Sequence, residues 1–268
     1  MKRHTHIRLR LYAVGISLLV LGGTALVFQN ELFRYVQQLA NPNARSINIT
    51  EGLRKEQIAE RFAKALQWTP EDVQQFLTIR SATANTLAIR DGFYFPDTYI
   101  VDKDASVTDV AATLATTFDT EIIATYFDGK NASIKDPATV LKIASIIQRE
   151  SGGKSDMRLI SGILWNRLLK GMRLQTDATI QYAKGSSENG WWPHVSGKDI
   201  KTIQSAYNTY KINGLPPSPI ANAGVAAIEA ALNPLKTTCL YYIHDTRGTI
   251  HCSPTYRGHE QNIRAYLK

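Results

Sequence analysis

The chain is poor in cysteine: Cys239 and Cys252 are its two among 268 residues. It has no Cys-x-x-Cys pair and no Cys/His spacing suited to a metal, which excludes a structural zinc module. After residue 30 there is no run of Lys and Arg with interleaved aromatics, which excludes a nucleic-acid footprint. There is also no internal repeat or low-complexity tract. A composition of 44% apolar and 20% charged residues is that of a globular chain, not a disordered one. The length suits one mid-sized domain plus something smaller, or two small domains.

Acids are missing from residues 1–28, which hold Lys2, Arg3, Arg8 and Arg10. Without those four, 27 cations face 23 acids, so half of the formal +8 comes from this short segment. Leu11 to Phe28 follows, eighteen residues without a charge. With Gln29 and Asn30 it approaches the ~20 residues that span a bilayer. The four cations before it and Glu31 after it place the N-terminus in the cytoplasm and the rest outside. A cleaved signal peptide is the competing reading, but its apolar core is usually ~7–15 residues. This run is longer and no small-x-small site closes it, so residues 1–30 read as a cytoplasmic tip and transmembrane anchor.

The fold class is α+β. Residues 31–45 read as a stalk and linker, broken at Asn41-Pro42-Asn43. Ser46 to Ile49 alternates like a strand. Ile58, Phe62, Ala65 and Leu66 then share a helical face, and Thr69-Pro70 starts a second helix with Val73, Phe76 and Leu77 inward. An extended stretch completes a β-α-α-β module over 46–101, an order that resembles LysM-like glycan-binding modules. From 102 to 268 the chain is mainly helical: 106–118, 120–127, a helix opened by Asp136-Pro137, one capped at Ser155-Asp156, a short one at Thr176-Asp177, and 223–232. A Gly- and Ser-rich loop over 185–199 carries Trp191, Trp192 and His194. A β-hairpin around Asp245-Thr246-Arg247-Gly248 lies near the C-terminus.

Glu150 is the candidate catalytic residue. Val140, Leu141, Ile143, Ala144, Ile146 and Ile147 make its helix apolar on most of its surface, so the helix is buried. The glycines of Ser151-Gly152-Gly153 suit a left-handed C-cap. A carboxyl delivered there is poor in water and sits at the negative end of the helix; both raise its pKa. A Glu protonated near neutral pH is what a glycosidic general acid requires. The competing reading is a solvated helix-end Glu paired with a lysine.

Several long motifs bear on that choice. They are I143-A-S-I-I-Q-R-E-S-G, W165-N-R-L-L-K-G-M-R-L-Q-T-D-A-T, Y207-N-T-Y-K-I-N-G-L-P-P-S-P-I-A-N and E229-A-A-L-N-P, with D91-G-F-Y-F-P-D-T-Y ahead of them. Together they resemble the MltG/YceG-like endolytic murein transglycosylases over residues 46–268. The resemblance implies a bacterial inner-membrane enzyme with one membrane helix. It would cut the MurNAc–GlcNAc bond of peptidoglycan strands without water, leaving a 1,6-anhydro end and terminating strand growth. It implies Glu150 as acid and base, and Asn166, Arg167, Gln175, Thr176, Asp177, Tyr207, Asn208, Tyr210 and Ser218 as substrate-binding candidates. No metal, cofactor or nucleic acid is implied; the partners are glycan strands and a penicillin-binding protein or other wall synthase. Members usually carry Pro where this chain has Ala178, and a Glu-His pair where it has Gly258-His259, which leaves the role of His259 open. Two other functions stand beside this one: a hydrolase of the same strand with Asp177 activating water, and a non-catalytic wall-binding scaffold.

The cysteines flank the hairpin. With Thr246-Arg247 as the turn, Cys239 faces Pro254 and Cys252 faces Tyr241. Such diagonal positions are ~7–8 Å apart, while a disulfide needs Cα atoms within ~7 Å. No stable disulfide is expected.

Overall fold

The computed structural model describes residues 41–79, 91–127 and 136–267. The segment 11–28, read as an anchor, lies outside them. Among the described residues no helix is long and apolar enough to cross a membrane. These residues form two compact units, one of 41–47 with Tyr99–Asp104, the other within Asn48–Thr98 and Ala105–Lys268.

The small unit holds most of β1 (Ala44–Asn48) and β2 (Thr98–Asp102), which are hydrogen-bonded neighbours. The Asn41 amide donates to Asp102, and the Lys103 N–H to the Asn43 carbonyl, at one end of the pair.

The large unit begins with α1 (Lys55–Leu66) and α2 (Pro70–Thr78). Ile58, Phe62 and Leu66 recur every four residues and are buried. The Thr69 hydroxyl oxygen accepts the Asp72 N–H at 3.2 Å and the Asp72 carboxylate accepts the Thr69 N–H at 2.9 Å, a capping box that fixes the start of α2. The two helices expected over 106–127 are one. α3 (Val107–Phe118) runs through a π turn, Asp119–Ile123, into a last turn, Ala124–Tyr126. No Gly or Pro interrupts this stretch, and Phe118 and Ile122 stay on the buried side.

At the centre lies α4 (Pro137–Glu150), capped by Asp136, which accepts the Thr139 N–H at 2.9 Å. Val140, Leu141, Ile143, Ile146 and Ile147 are essentially inaccessible. Each such burial contributes ~1.5–3 kcal/mol, so the register of α4 is strongly determined. It packs on α5 (Met157–Leu169), α6 (Asp177–Lys184) and α8 (Val225–Leu232). Buried Ala227, Ala230 and Ala231 keep α8 narrow enough for close approach. The expected left-handed glycine cap at the end of α4 is absent: Ser151 is extended, and neither Gly152 nor Gly153 has positive φ. Instead the Gly152 N–H donates to the Asp156 carboxylate at 3.0 Å. Asp156 sits at the N-cap position of α5 but makes no side-chain cap bond there.

Buried Asn222 ties the unit together. Its side-chain oxygen accepts the N–H groups of Gly92 and Tyr94, and its amide donates to the Leu53 carbonyl. Gly92 has φ 87°, and a Cβ there would stand 2.3 Å from Pro219 Cβ, so two requirements select glycine. A short helix, α7 (Gly197–Thr202), lies at the end of the Gly- and Ser-rich loop.

The hairpin pairs β3 (Tyr241–His244) with β4 (Ile250–Ser253) antiparallel. Its turn is one residue longer than the sequence suggests. Asp245 bonds to Thr249 across Thr246-Arg247-Gly248, with Gly248 at φ 79°. The longer turn slips the register by one, so Cys252 faces Tyr242 rather than Tyr241. Cys239 lies just before β3, outside the regular ladder. Contrary to the expectation above, Cys239 and Cys252 form a disulfide with Cα atoms 5.8 Å apart. A final helix, α9 (Tyr256–Tyr266), capped by Thr255, follows the hairpin and packs on both strands. The sequence reading assigned no element there; none of its residues is fully buried, and Tyr256, Ile263 and Tyr266 are exposed.

The disulfide closes a loop with a sequence separation of 13, for which cross-linking contributes ~3 kcal/mol. Replacing both cysteines by serine should lower unfolding free energy by about that amount in denaturant titrations. A two-dalton mass deficit joining the two peptides should mark the native protein. Equal denaturation midpoints with and without reductant would refute the assignment.

Candidate active site

Glu150 is the last residue of α4, and its carboxyl enters a cleft of about 590 Å³. Arg167, Gln175, Asp177, Tyr210, Tyr241, Tyr242, Tyr256 and His259 share the lining. Two donors hold the carboxyl. The Ala178 N–H reaches Oε1 at 3.0 Å, and the Tyr242 hydroxyl reaches Oε2 at 2.8 Å. The side chain therefore leaves the negative end of α4 and lands on the positive end of α6. The dipole argument from sequence covers half of this arrangement, since the facing helix end favours the anion. Burial still dominates and raises the Glu150 pKa. The Ala178 and Tyr242 bonds pull it down, Asp177 pushes it up, and His244 pulls it down more weakly. The Arg149 guanidinium lies over Trp192, 4.0 Å from the ring centre.

Asp177 opens α6 but caps nothing; its Oδ1 accepts the Tyr210 hydroxyl at 2.6 Å. Burial, then Asp177, raises the Tyr210 pKa, so its hydroxyl remains a donor. Gln175 lines the cleft from a left-handed backbone, φ 49°, held by its N–H to the Thr209 carbonyl. A non-glycine residue in that region costs ~1–3 kcal/mol, which the Thr176–Thr209 bonds beside it help offset. Arg167 donates from Nε to the Leu240 carbonyl at 2.6 Å and from its terminal nitrogen to the Leu174 carbonyl. It thus joins β3 to the segment before α6 and keeps a cation under Tyr241. Burial, then Arg167, lowers the His259 pKa and favours its neutral ring.

Of the sequence candidates, the cleft unites Glu150, Arg167, Gln175, Asp177 and Tyr210. Asn166 instead donates to the carbonyls of Thr237 and Cys239. Thr176 is buried against Thr209. Asn208 is inaccessible and donates to the carbonyls of Ile200 and Ile203. Tyr207 and Ser218 bond to each other at 2.6 Å and line a different cleft with Asp91 and Tyr182. Trp191 and Trp192 donate to Glu60 and Gln57 and pack on Arg54, so they anchor the loop. The sequence reading missed Tyr241, Tyr242 and Tyr256. The adjacent pair Tyr241-Tyr242 in a predicted strand was the available signal, but the strand's cleft-facing side depends on the hairpin register.

The YceG-like family model matches residues 24–265. An endolytic murein transglycosylase of Bacillus subtilis is 32% identical over 84% of this chain and 66% of its own length. Those of two Streptococcus pneumoniae strains are 28% identical over 66% of this chain and 32% of theirs. The chain thus spans just under two thirds of the first relative and about a third of the others. The crystal structure of a yceG-like protein from Listeria monocytogenes superposes with a TM-score of 0.67 and 30% identity, covering 81% of this chain and 75% of that one.

A carboxyl whose pKa is raised from 4.5 by burial lowers stability as it ionises. Below 4.5 both folded and unfolded states hold the proton and there is no loss. As pH rises through the folded-state pKa, the loss is complete. Glu150→Gln should therefore melt at a higher temperature than wild type at neutral pH, and the gap should close toward pH 4. A gap that does not change with pH would refute the buried-carboxyl account.

Proposed function

Because this chain belongs to the YceG-like family, we propose that it is an endolytic murein transglycosylase. The observation that carries the reading is Glu150, one carboxyl with a raised pKa and two opposing donors at the wall of an open cleft. Burial favours the protonated form, and the two hydrogen bonds make release of the proton tolerable. A group that must first give and then regain a proton needs that balance.

In the proposed reaction Glu150 protonates the oxygen between MurNAc and GlcNAc as the C1–O bond breaks, and GlcNAc leaves with a free 4-hydroxyl. The Glu150 carboxylate then takes the proton of the muramyl 6-hydroxyl, whose oxygen closes on C1 as the 1,6-anhydro ring. Glu150 ends protonated, as it began, and no water is consumed. The Arg167, Gln175, Asp177 and Tyr210 side chains offer donors and acceptors to the sugars. Asp177, engaged by Tyr210, orients that network. Cutting nascent strands this way would terminate their growth.

The rest of the chain fits the same proposal. Leu11 to Phe28 is a single-pass anchor in a bacterial inner membrane with the N-terminus in the cytoplasm. Residues 46–101 are a LysM-like module that holds glycan, and 102–268 form the catalytic domain outside the membrane. The partners are peptidoglycan strands and a penicillin-binding protein or other wall synthase.

The deciding experiment is digestion of purified peptidoglycan with the full-length chain and mass analysis of the products. Anhydro-MurNAc ends are expected; products heavier by one water, with reducing ends, would instead favour the hydrolase. Glu150→Gln should lose ~10²–10⁴-fold in rate, and activity within about threefold of wild type would sink the assignment. Asp177→Asn should weaken cleavage and leave the anhydro product unchanged. An Asp177→Asn variant as inactive as Glu150→Gln would return weight to a two-carboxylate hydrolase.

The amide of Ala178 gives a separate test. Ala178→Pro removes a donor to the Glu150 anion in the first turn of α6, where the N–H has no partner within the helix. Losing that bond favours the protonated acid, so the alkaline limb of kcat/KM should move to higher pH. An unmoved or lowered limb would count against Glu150 as the proton donor.

A further inference from the structure

The hydrogen bond between Tyr242 and Glu150 joins two chain segments far apart in sequence, and one carboxylate oxygen sets the spacing of both. Asp156 Oδ2 accepts the Gly152 N–H at 3.0 Å and bonds His244 Nε2 at 2.7 Å. Gly152 lies two residues past Glu150, and His244 lies two residues past Tyr242. Residues two apart on a strand share a face, so Tyr242 and His244 both point toward the end of α4. Asp156 is nearly inaccessible, and the other side-chain oxygen has no partner among the described residues. Its hydrogen-bonding capacity is thus directed at these two anchors rather than at capping α5. The imidazole is itself 23% exposed, packs edge-on against the Tyr242 ring with centroids 6.0 Å apart, and meets the buried carboxylate in a setting of reduced solvent screening.

Resting on the transglycosylase reading, we infer that His244 is a positioning residue for Glu150. Held by Asp156, it presses β3 against the loop after α4 and sets the Tyr242 hydroxyl on the Glu150 carboxyl. A plain structural pair would stabilise the hairpin and leave the acid unaffected. A positioning pair acts mainly through Tyr242, with only the weaker direct pull of His244 on Glu150 beside it, and that route makes the two separable.

The test uses four full-length proteins: wild type, His244→Ala, Tyr242→Phe and the double variant. In peptidoglycan digestion His244→Ala should lower kcat by about 10–100-fold and leave KM within about twofold. His244→Gln keeps an N–H for Asp156 and should recover most of the rate. In the Tyr242→Phe background the same His244→Ala change should cost less than about twofold, because the bond it positions is already gone. Equal losses in both backgrounds, a rise in KM with kcat unchanged, or a His244→Ala variant as fast as wild type would each overturn the inference. Thermal unfolding of the same four proteins applies the cycle without substrate: the Tm loss from His244→Ala should shrink when Tyr242 is already Phe, and equal losses overturn it. A wild-type chain that leaves no anhydro ends would strike the transglycosylase reading alone, and the melts would still decide the role of His244.

Discussion

A carboxyl group at the end of an apolar helix is the constraint on which the rest of the large unit depends. The middle of α4, from Val140 to Ile147, is buried almost throughout, so its last residue has little freedom in where it emerges. An ionisable group delivered to such a place is costly unless polar partners meet it. Ala178 at the start of α6 and Tyr242 on β3 are those partners. Much of what surrounds the cleft serves to bring these two elements to α4.

The supports are mostly backbone carbonyls engaged by buried side chains. Arg167 spans from Leu240 to Leu174 and so links β3 to the segment entering α6. Asn166, one residue earlier on α5, holds the carbonyls of Thr237 and Cys239. Thr209 accepts from Gln175 and Thr176 and sets the approach to α6. The Asn-Arg and Gln-Thr-Asp motifs are thus partly scaffold and partly cleft. Two neighbours in one motif have different surroundings because successive helical residues are about 100° apart.

The C-terminal hairpin has the same logic. Its register decides whether Tyr242 or Tyr241 faces the acid, and a slip of one residue would exchange them. A three-residue turn with Gly248 in the left-handed region sets that register, and the Cys239–Cys252 bond fastens the strand's start. α9 then covers the strands and brings Tyr256 and His259 into the lining of the cleft, both against Tyr241.

The sequence by itself determined most of the helix starts and the burial of the helix that carries Glu150. Asp136-Pro137 and Thr69-Pro70 mark helix starts through side-chain caps and a fixed φ, which depend only on neighbours in the chain. The all-apolar pattern from Val140 to Ile147 implied a buried helix, and hence a poorly hydrated Glu150. Tertiary structure alone decided what meets that carboxyl. Nothing near Glu150 in the chain points to Ala178 or Tyr242, which lie 28 and 92 residues away. The hairpin register, the disulfide and the separation of Tyr207 and Ser218 from Glu150 were likewise hidden. Each turns on a displacement of one residue or one helix face, and local propensities do not resolve differences that small. Packing does, because a buried polar group must find its partner within hydrogen-bond reach.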